Sequence, residues 1–178
     1  MNSIAILGIF VADTAYYAPR LPRMGETILG NGFALSPGGK GSNQAVAAAR
    51  LGGDVTFISK IGVDPFGDMA RTIWAEAGVK TAVTCMTESY TGAACIFLEQ
   101  GSGDNAIIVS PGAAGTISPA DIDAAGDVIR GASVFITQLE QPLHAAKRAL
   151  QIAREAGAVT ILNPAPAAEL DDEFFTLS

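Results

Sequence analysis

The sequence predicts an α/β protein with a mostly parallel central sheet, because short apolar runs alternate with helix-like segments along most of the chain. The predicted strands cover residues 3–8, 55–61, 134–137 and 159–162. The predicted helices cover residues 42–51, 68–77, 119–129 and 142–156. Strand, helix and strand in succession form a right-handed crossover, so we expect a parallel sheet that is covered by helices on both faces.

Two parts of the chain do not follow this alternation. Residues 26–35 are extended but carry interleaved polar and Gly residues, and the runs 91–100 and 105–109 are joined by a Gly-containing linker that is typical of a hairpin. We expect these parts, near 12–36 and 91–109, to form a small β lid. In open sheets of this class, ligands bind beyond the C-terminal ends of the strands, where such a lid would cover them.

Composition and charge exclude several classes of function. The 178 residues suffice for one domain with a real core. No apolar run approaches the roughly 20 residues that span a bilayer, and the N-terminus does not resemble a signal peptide, so we expect a cytoplasmic protein without a membrane partner. With 11 Lys+Arg against 18 Asp+Glu, the net charge of −7 argues against nucleic acid. Two cysteines without metal-ligand spacing, and a single histidine, predict no metal site.

A Gly-rich segment is the strongest local motif. Residues 36–41 have the composition of a loop, and Gly38-Gly39-Lys40-Gly41-Ser42-Asn43 leads directly into a helix. Glycines let the backbone approach a ligand, and the first amides of a helix lack partners inside it, so this segment suits hydroxyls or anions. An equal alternative is a tight turn in which Ser42 or Asn43 caps the helix. A P-loop is excluded because Gly41 follows Lys40.

Two carboxylates follow predicted strands. Asp13 comes after the first strand, and Glu140 comes after the strand at 134–137. A carboxylate can accept hydrogen bonds from two neighbouring hydroxyls, which suits a polyol ligand. The alternative is that Asp13 begins a turn and Glu140 caps the helix at Pro142. The residues alone leave both interpretations open.

Several segments together resemble one family. The run Gly38–Ala45, followed by Gly52 and Gly62, resembles the N-terminal motif of the ribokinase-like (phosphofructokinase-B) carbohydrate kinases. The resemblance covers essentially all 178 residues in order. It extends to four further segments, at residues 22–27, 61–67, 139–142 and 163–166.

The resemblance implies an ATP-dependent transfer of phosphate to a sugar or sugar-like alcohol. It implies a ribokinase-like three-layer sandwich with a small β lid, of which residues 1–178 would be the N-terminal part, and a homodimer formed through the lid. It also implies ATP and Mg²⁺, with a monovalent cation as a further candidate; their sites are mostly unmatched in this chain. By positional match, the substrate-binding residues would be Asp13, Gly39, Lys40, Asn43 and Glu140.

The chain departs from the family pattern in two places. Ribokinases proper have an asparagine where this chain has Val11. Valine cannot hydrogen-bond a hydroxyl, so a sugar lacking one hydroxyl, another polyol or a nucleoside becomes an alternative to ribose. The family's second motif, with the catalytic base, has no match. We therefore expect the chain to be a fragment, with no catalytic residue and no activity alone. The alternative is a non-catalytic polyol-binding or dimerisation module.

Overall fold

The computed structural model describes residues 3–178 and confirms the α/β class. Its larger sheet has five strands in the order β5-β4-β1-β8-β9, and every neighbouring pair is parallel. The strands are β1 (Ser3–Leu7), β4 (Asp54–Gly62), β5 (Lys80–Met86), β8 (Val134–Thr137) and β9 (Val159–Leu162). Because all five run in one direction, the segments that follow them emerge at the same edge of the sheet.

A second, smaller sheet lies beyond this edge. Its four strands follow the order β3-β2-β6-β7, with β2 and β6 parallel and the outer pairs antiparallel. The strands are β2 (Val11–Ala18), β3 (Gly32–Gly38), β6 (Thr91–Glu99) and β7 (Asn105–Gly112). We call it the small sheet. Its β6–β7 hairpin agrees with the hairpin that the Gly-containing linker predicts.

Helices cover both faces of the large sheet and complete three layers. They are α1 (Lys40–Arg50), α2 (Pro65–Ala77), α3 (Pro119–Ala124), α4 (Gly126–Arg130), α5 (Leu143–Glu155) and α6 (Asp172–Leu177). Ala45 of α1 and Trp74 of α2 pack with Phe57 in one apolar cluster. Apolar residues of α3, α4 and α5 pack in a second cluster with Leu7 and Ile58. Within residues 3–178, no helix combines the length and apolarity that a membrane crossing requires.

Local signals explain where α2 begins and ends. The carboxylate of Asp64 accepts a hydrogen bond from the Gly67 amide, and Pro65 occupies the first turn. Gly78 ends the helix with a φ of 77°, a left-handed conformation that favours glycine. The helix therefore begins three residues before the predicted Asp68 and ends at the predicted Ala77.

The structure corrects several predicted elements. The expected loop at 36–41 is instead the end of β3 and the first turn of α1. The single helix predicted over 119–129 is interrupted at Ala125, between α3 and α4. Neither β2 nor β5 was given bounds from the sequence, although β2 falls within the predicted lid segment near 12–36. The first mixes polar with apolar residues, and the second lies at an edge of the large sheet with only one strand neighbour.

Candidate functional site

A cavity of about 210 Å³ lies between the start of α1, the segment after β8 and the small sheet. The parallel strands place Glu140 at this edge directly after β8, as the topology requires. The cavity lining includes all five residues for which the sequence predicts ligand contacts: Asp13, Gly39, Lys40, Asn43 and Glu140. Residues up to 127 positions apart in the sequence therefore meet at one place.

Asp13 lies within β2, so the alternative in which it begins a turn is wrong. Strand β3 runs beside it, and a Cβ atom at Gly38 would come within 2.3 Å of its Oδ2 atom. Only glycine leaves room for the carboxylate there. Partial burial, and then the negative charge of Glu140, raise the pKa of Asp13, while Lys40 acts in the opposite direction.

Lys40 and Glu140 form a two-point contact across the cavity wall. The Glu140 Oε1 atom lies 2.7 Å from the Lys40 ammonium, and its Oε2 atom accepts the Lys40 amide hydrogen, also at 2.7 Å. Glu140 therefore does not cap the following helix, whose cap residue is Pro142 without a side-chain bond. The carboxylate instead holds the first residue of α1 at a fixed distance from β8.

The start of α1 differs from the alternative interpretation of the Gly-rich segment, in which a polar side chain caps the helix. The cap residue is Gly39, with a φ of 90° and no side chain, so neither Ser42 nor Asn43 caps the helix. The Lys40 amide is taken by Glu140, and the Ser42 amide donates to the Ile9 carbonyl at 3.4 Å. Two of the helix-start amides are thus engaged within the protein, so side chains supply much of the cavity's hydrogen-bonding capacity.

The small sheet contributes an apolar wall to the cavity. Strand pairing aligns Asp13 with Ala94 and Ala94 with Val109, so their side chains share the inner face of this sheet. The apolar lining residues are Val11, Ala94, Ile96, Ile107 and Val109. Sequence reasoning singled out only the first of these. Residues 93–98 of β6 form an unbroken apolar run that includes Ala94 and Ile96, but pairing with β2 was needed to show which of them face the cavity.

Nearly the whole chain matches a model of one protein family. The model for "pfkB family carbohydrate kinase" covers residues 1–176. The chain belongs to this family. The pfkB assignment confirms the resemblance that the Gly38–Ala45 motif indicates, and with it the predicted fold class.

Relatives within the pfkB family include sugar kinases. The chain is 37% identical over 177 residues to a ribokinase of Haemophilus influenzae, covering 99% of this chain and 58% of that protein. It is 36% identical over 173 residues to a deoxyribokinase of Salmonella typhi, covering 94% of this chain and 55% of that protein. A solved structure of Arabidopsis thaliana ribokinase complexed with ribose and ATP has a TM-score of 0.82 at 28% identity. The match covers 92% of this chain and 54% of the solved one. The chain thus spans a little over half the length of the curated relatives it matches.

The described residues do not fit a site for a nucleotide-bound metal. Within residues 3–178, no group of three or more His, Cys, Asp or Glu side chains is arranged to hold a metal ion. In the cavity, Glu140 is engaged by Lys40, which leaves Asp13 as the carboxylate without an ion-pair partner there. The cavity therefore offers hydrogen-bonding side chains rather than a cluster of metal ligands.

Proposed function

We propose that this chain carries the acceptor-binding site of an ATP-dependent kinase that phosphorylates a sugar or sugar-like alcohol. The observation that carries the proposal is the meeting of Asp13, Lys40, Asn43 and Glu140 at one cavity. Membership of the pfkB family supports the type of reaction. The Arabidopsis relative, solved with ribose and ATP, supports the two substrates.

The charges at the cavity favour a neutral polyol. Asp13 and Glu140 contribute two negative charges and Lys40 one positive charge, so the ionised site carries a net charge of −1. An acceptor that already bears phosphate is repelled by that charge. A neutral sugar can donate hydroxyl hydrogens to Asp13 and accept from the ammonium hydrogens of Lys40 and the amide of Asn43. Gly39 allows the backbone to approach the ligand beside them.

The apolar wall indicates where the acceptor lacks a hydroxyl. Val11 is buried and lies two residues before Asp13, so it faces the ligand from the same side of β2. Placing a hydroxyl against Val11, Ala94 and Ile96 would remove it from water without a partner, which is unfavourable. The inferred acceptor is a pentose or related polyol with an apolar edge, and the similarity to a deoxyribokinase supports this inference.

The small sheet would act as a lid on the acceptor. Its inner face supplies the apolar wall, and closing that face over the ligand would exclude water and favour transfer to the sugar over hydrolysis. We propose that residues 3–178 do not supply the catalytic base. We propose the same for the sites of the nucleotide, of Mg²⁺ and of any monovalent cation. This chain by itself is therefore expected to bind the acceptor without transferring phosphate.

Calorimetry with three sugars tests the acceptor proposal. We expect the chain to bind 2-deoxy-D-ribose and D-ribose, and to bind ribose 5-phosphate at least about tenfold more weakly because of the net negative charge. Val11→Asn should shift the preference toward D-ribose by about tenfold, since one hydroxyl gains a partner. Failure of every neutral pentose to bind would contradict the proposal.

We also propose that two copies of the chain associate through the outer face of the small sheet. This face carries aromatic and aliphatic side chains that point away from the cavity, and Phe33 and Ile108 are 59% and 71% exposed. Tyr16 and Phe33 pack together on it, with their ring centroids 5.3 Å apart. An apolar surface of this kind is typical of a protein–protein contact.

Light scattering coupled to size exclusion tests this association. We expect a dimer for the unmodified chain and a monomer for the double variant Phe33→Asp/Ile108→Asp, because each charge would have to be buried unpaired. Leu51→Asp is the matched control, since Leu51 is 89% exposed at the end of α1, and it should leave the dimer intact. An unmodified chain that stays monomeric at high concentration would contradict the association.

A further inference from the structure

The base of the small sheet is held outside the cavity by polar contacts of one buried and one partly buried residue, Thr91 and Asp64. The Thr91 amide donates to the Oδ2 atom of Asp64 at 2.7 Å, and the Thr91 hydroxyl accepts the Gly62 amide hydrogen at 2.9 Å. The other Asp64 oxygen accepts the Gly67 amide hydrogen at 2.8 Å, which ties the same carboxylate to the start of α2. We call Asp64 and Thr91 the joint.

The joint is closely packed as well as hydrogen-bonded. Thr91 is 1% exposed, so a lost hydrogen bond there is not replaced by bulk water. A Cβ atom at Gly62 would come within 2.6 Å of both the Thr91 amide nitrogen and the Ser89 carbonyl oxygen. The backbone on either side of the joint therefore has no room to shift without a change in this contact.

Both strands of the hairpin begin or end at the joint. Thr91 is the first residue of β6 and pairs with Gly112, the last residue of β7. Immediately after that pair, the Ala113 amide donates to the Tyr90 carbonyl at 2.8 Å. A change in the position of Thr91 is thus transmitted to the two strands together.

The same two strands carry part of the cavity wall. Ala94 follows Thr91 by three residues, and its partner Val109 precedes Gly112 by three, a distance of about 10 Å along each strand. Asp64 and Thr91 themselves do not line the cavity. Without contact to the ligand, they can influence it by setting where the wall lies.

We propose that Asp64 and Thr91 are positioning residues that set the distance of the β6–β7 wall from Asp13 and Lys40. They fasten this wall to the turn between β4 and α2, so the cavity keeps its width without a contact between the joint and the ligand. The inference rests on the proposed function insofar as the cavity binds a sugar. The position of the two strands can also be measured without a ligand.

The test compares Thr91→Val with Thr91→Ser. Valine has nearly the shape of threonine but cannot accept the Gly62 hydrogen, whereas serine keeps the hydroxyl. Amide hydrogen exchange in Thr91→Val should be about tenfold faster in β6 and β7, with β1 and β4 unchanged, and D-ribose should bind about tenfold more weakly. Thr91→Ser should keep both the exchange rates and the affinity for D-ribose at the values of the unmodified chain. Thr72→Val, which removes an exposed hydroxyl bond on α2, is the control and should change neither.

Two outcomes would overturn the proposal: exchange that accelerates equally in both sheets, or exchange in β6 and β7 that stays at the unmodified rate. If Thr91→Val does not fold, Asp64→Asn removes one of the two acceptor oxygens and the same readings apply. If the unmodified chain binds no D-ribose, the acceptor proposal fails, while the exchange rates still decide whether the joint holds the two strands.

Discussion

Asp13→Asn is expected to weaken sugar binding strongly while leaving the chain at least as stable as before. A hydroxyl hydrogen donated to a charged carboxylate contributes about 1.5–3 kcal/mol, and asparagine replaces one of the two acceptor oxygens with an NH2 group and leaves the other uncharged, so binding should weaken by at least about tenfold. Because burial and the charge of Glu140 raise the pKa of Asp13, its ionised form opposes folding, and a neutral amide removes that cost. Calorimetry for binding and thermal unfolding for stability separate the two effects.

The pH dependence of binding gives a second measure of Asp13. Only the ionised carboxylate accepts two hydroxyl hydrogens, so affinity should fall as pH decreases through its pKa, by about tenfold for each pH unit below it. That pKa lies above the usual 3.8, so the fall should begin at a higher pH than for an exposed aspartate. Asp13→Asn should flatten the profile, and Glu76→Gln, an exposed charge loss on α2, should reproduce the unmodified one. An affinity for the sugar that is unchanged in Asp13→Asn would contradict a contact between Asp13 and the ligand.

Trp74→Ala should cost about 3–5 kcal/mol of unfolding free energy, the range for a fully buried aromatic side chain. Trp74 has no exposed surface and packs between Phe10 and Phe57, with centroid distances of 5.8 and 5.1 Å. Its Nε1 atom donates to the Ser42 hydroxyl at 2.9 Å, inside the first turn of α1. The variant therefore opens a void and leaves a buried hydroxyl unpaired beside the cavity.

Urea denaturation measures this loss, and two further variants divide it. Trp74→Phe keeps an aromatic ring but removes the donor, and Ser42→Ala removes the acceptor, so each should cost about 1–3 kcal/mol. Combined, they should cost less than their sum, because both remove the same bond. If Trp74→Ala lowers the free energy of unfolding by less than about 1 kcal/mol, the neighbouring helices must move in and fill the void left by the indole ring.

The elements that the sequence predicted well carry their own boundary signals. Gly78 ends α2, and the apolar runs of β8 and β9 are short and bounded by polar residues or Gly. Strand β2 falls within the predicted lid segment near 12–36, but its bounds could not be predicted because it mixes polar with apolar residues. Its regularity comes from pairing with β3 and β6 on both sides, which no local pattern records.

The candidate site was predictable as a set of residues but not as an arrangement. The resemblance to the family predicts Asp13, Lys40 and Glu140 as ligand-binding residues, yet the bond from Lys40 to Glu140 spans 100 positions and depends on which strands are neighbours. The two cysteines show the same limit. Their apolar, strand-like context predicts buried side chains, and both lie in strands, but Cys85 and Cys95 are exposed because burial is set by which face of the sheet is covered.

The order of the strands along the chain limits how the protein can be divided. The backbone passes four times between the two sheets, since β2 and β3 are inserted between β1 and β4, and β6 and β7 between β5 and β8. Neither layer is therefore a contiguous stretch that could be excised and expressed on its own. In addition, β1 cannot pair with β8 until residue 134 has been synthesised, and pairing between residues so far apart in the sequence is expected to make assembly of this layer slow.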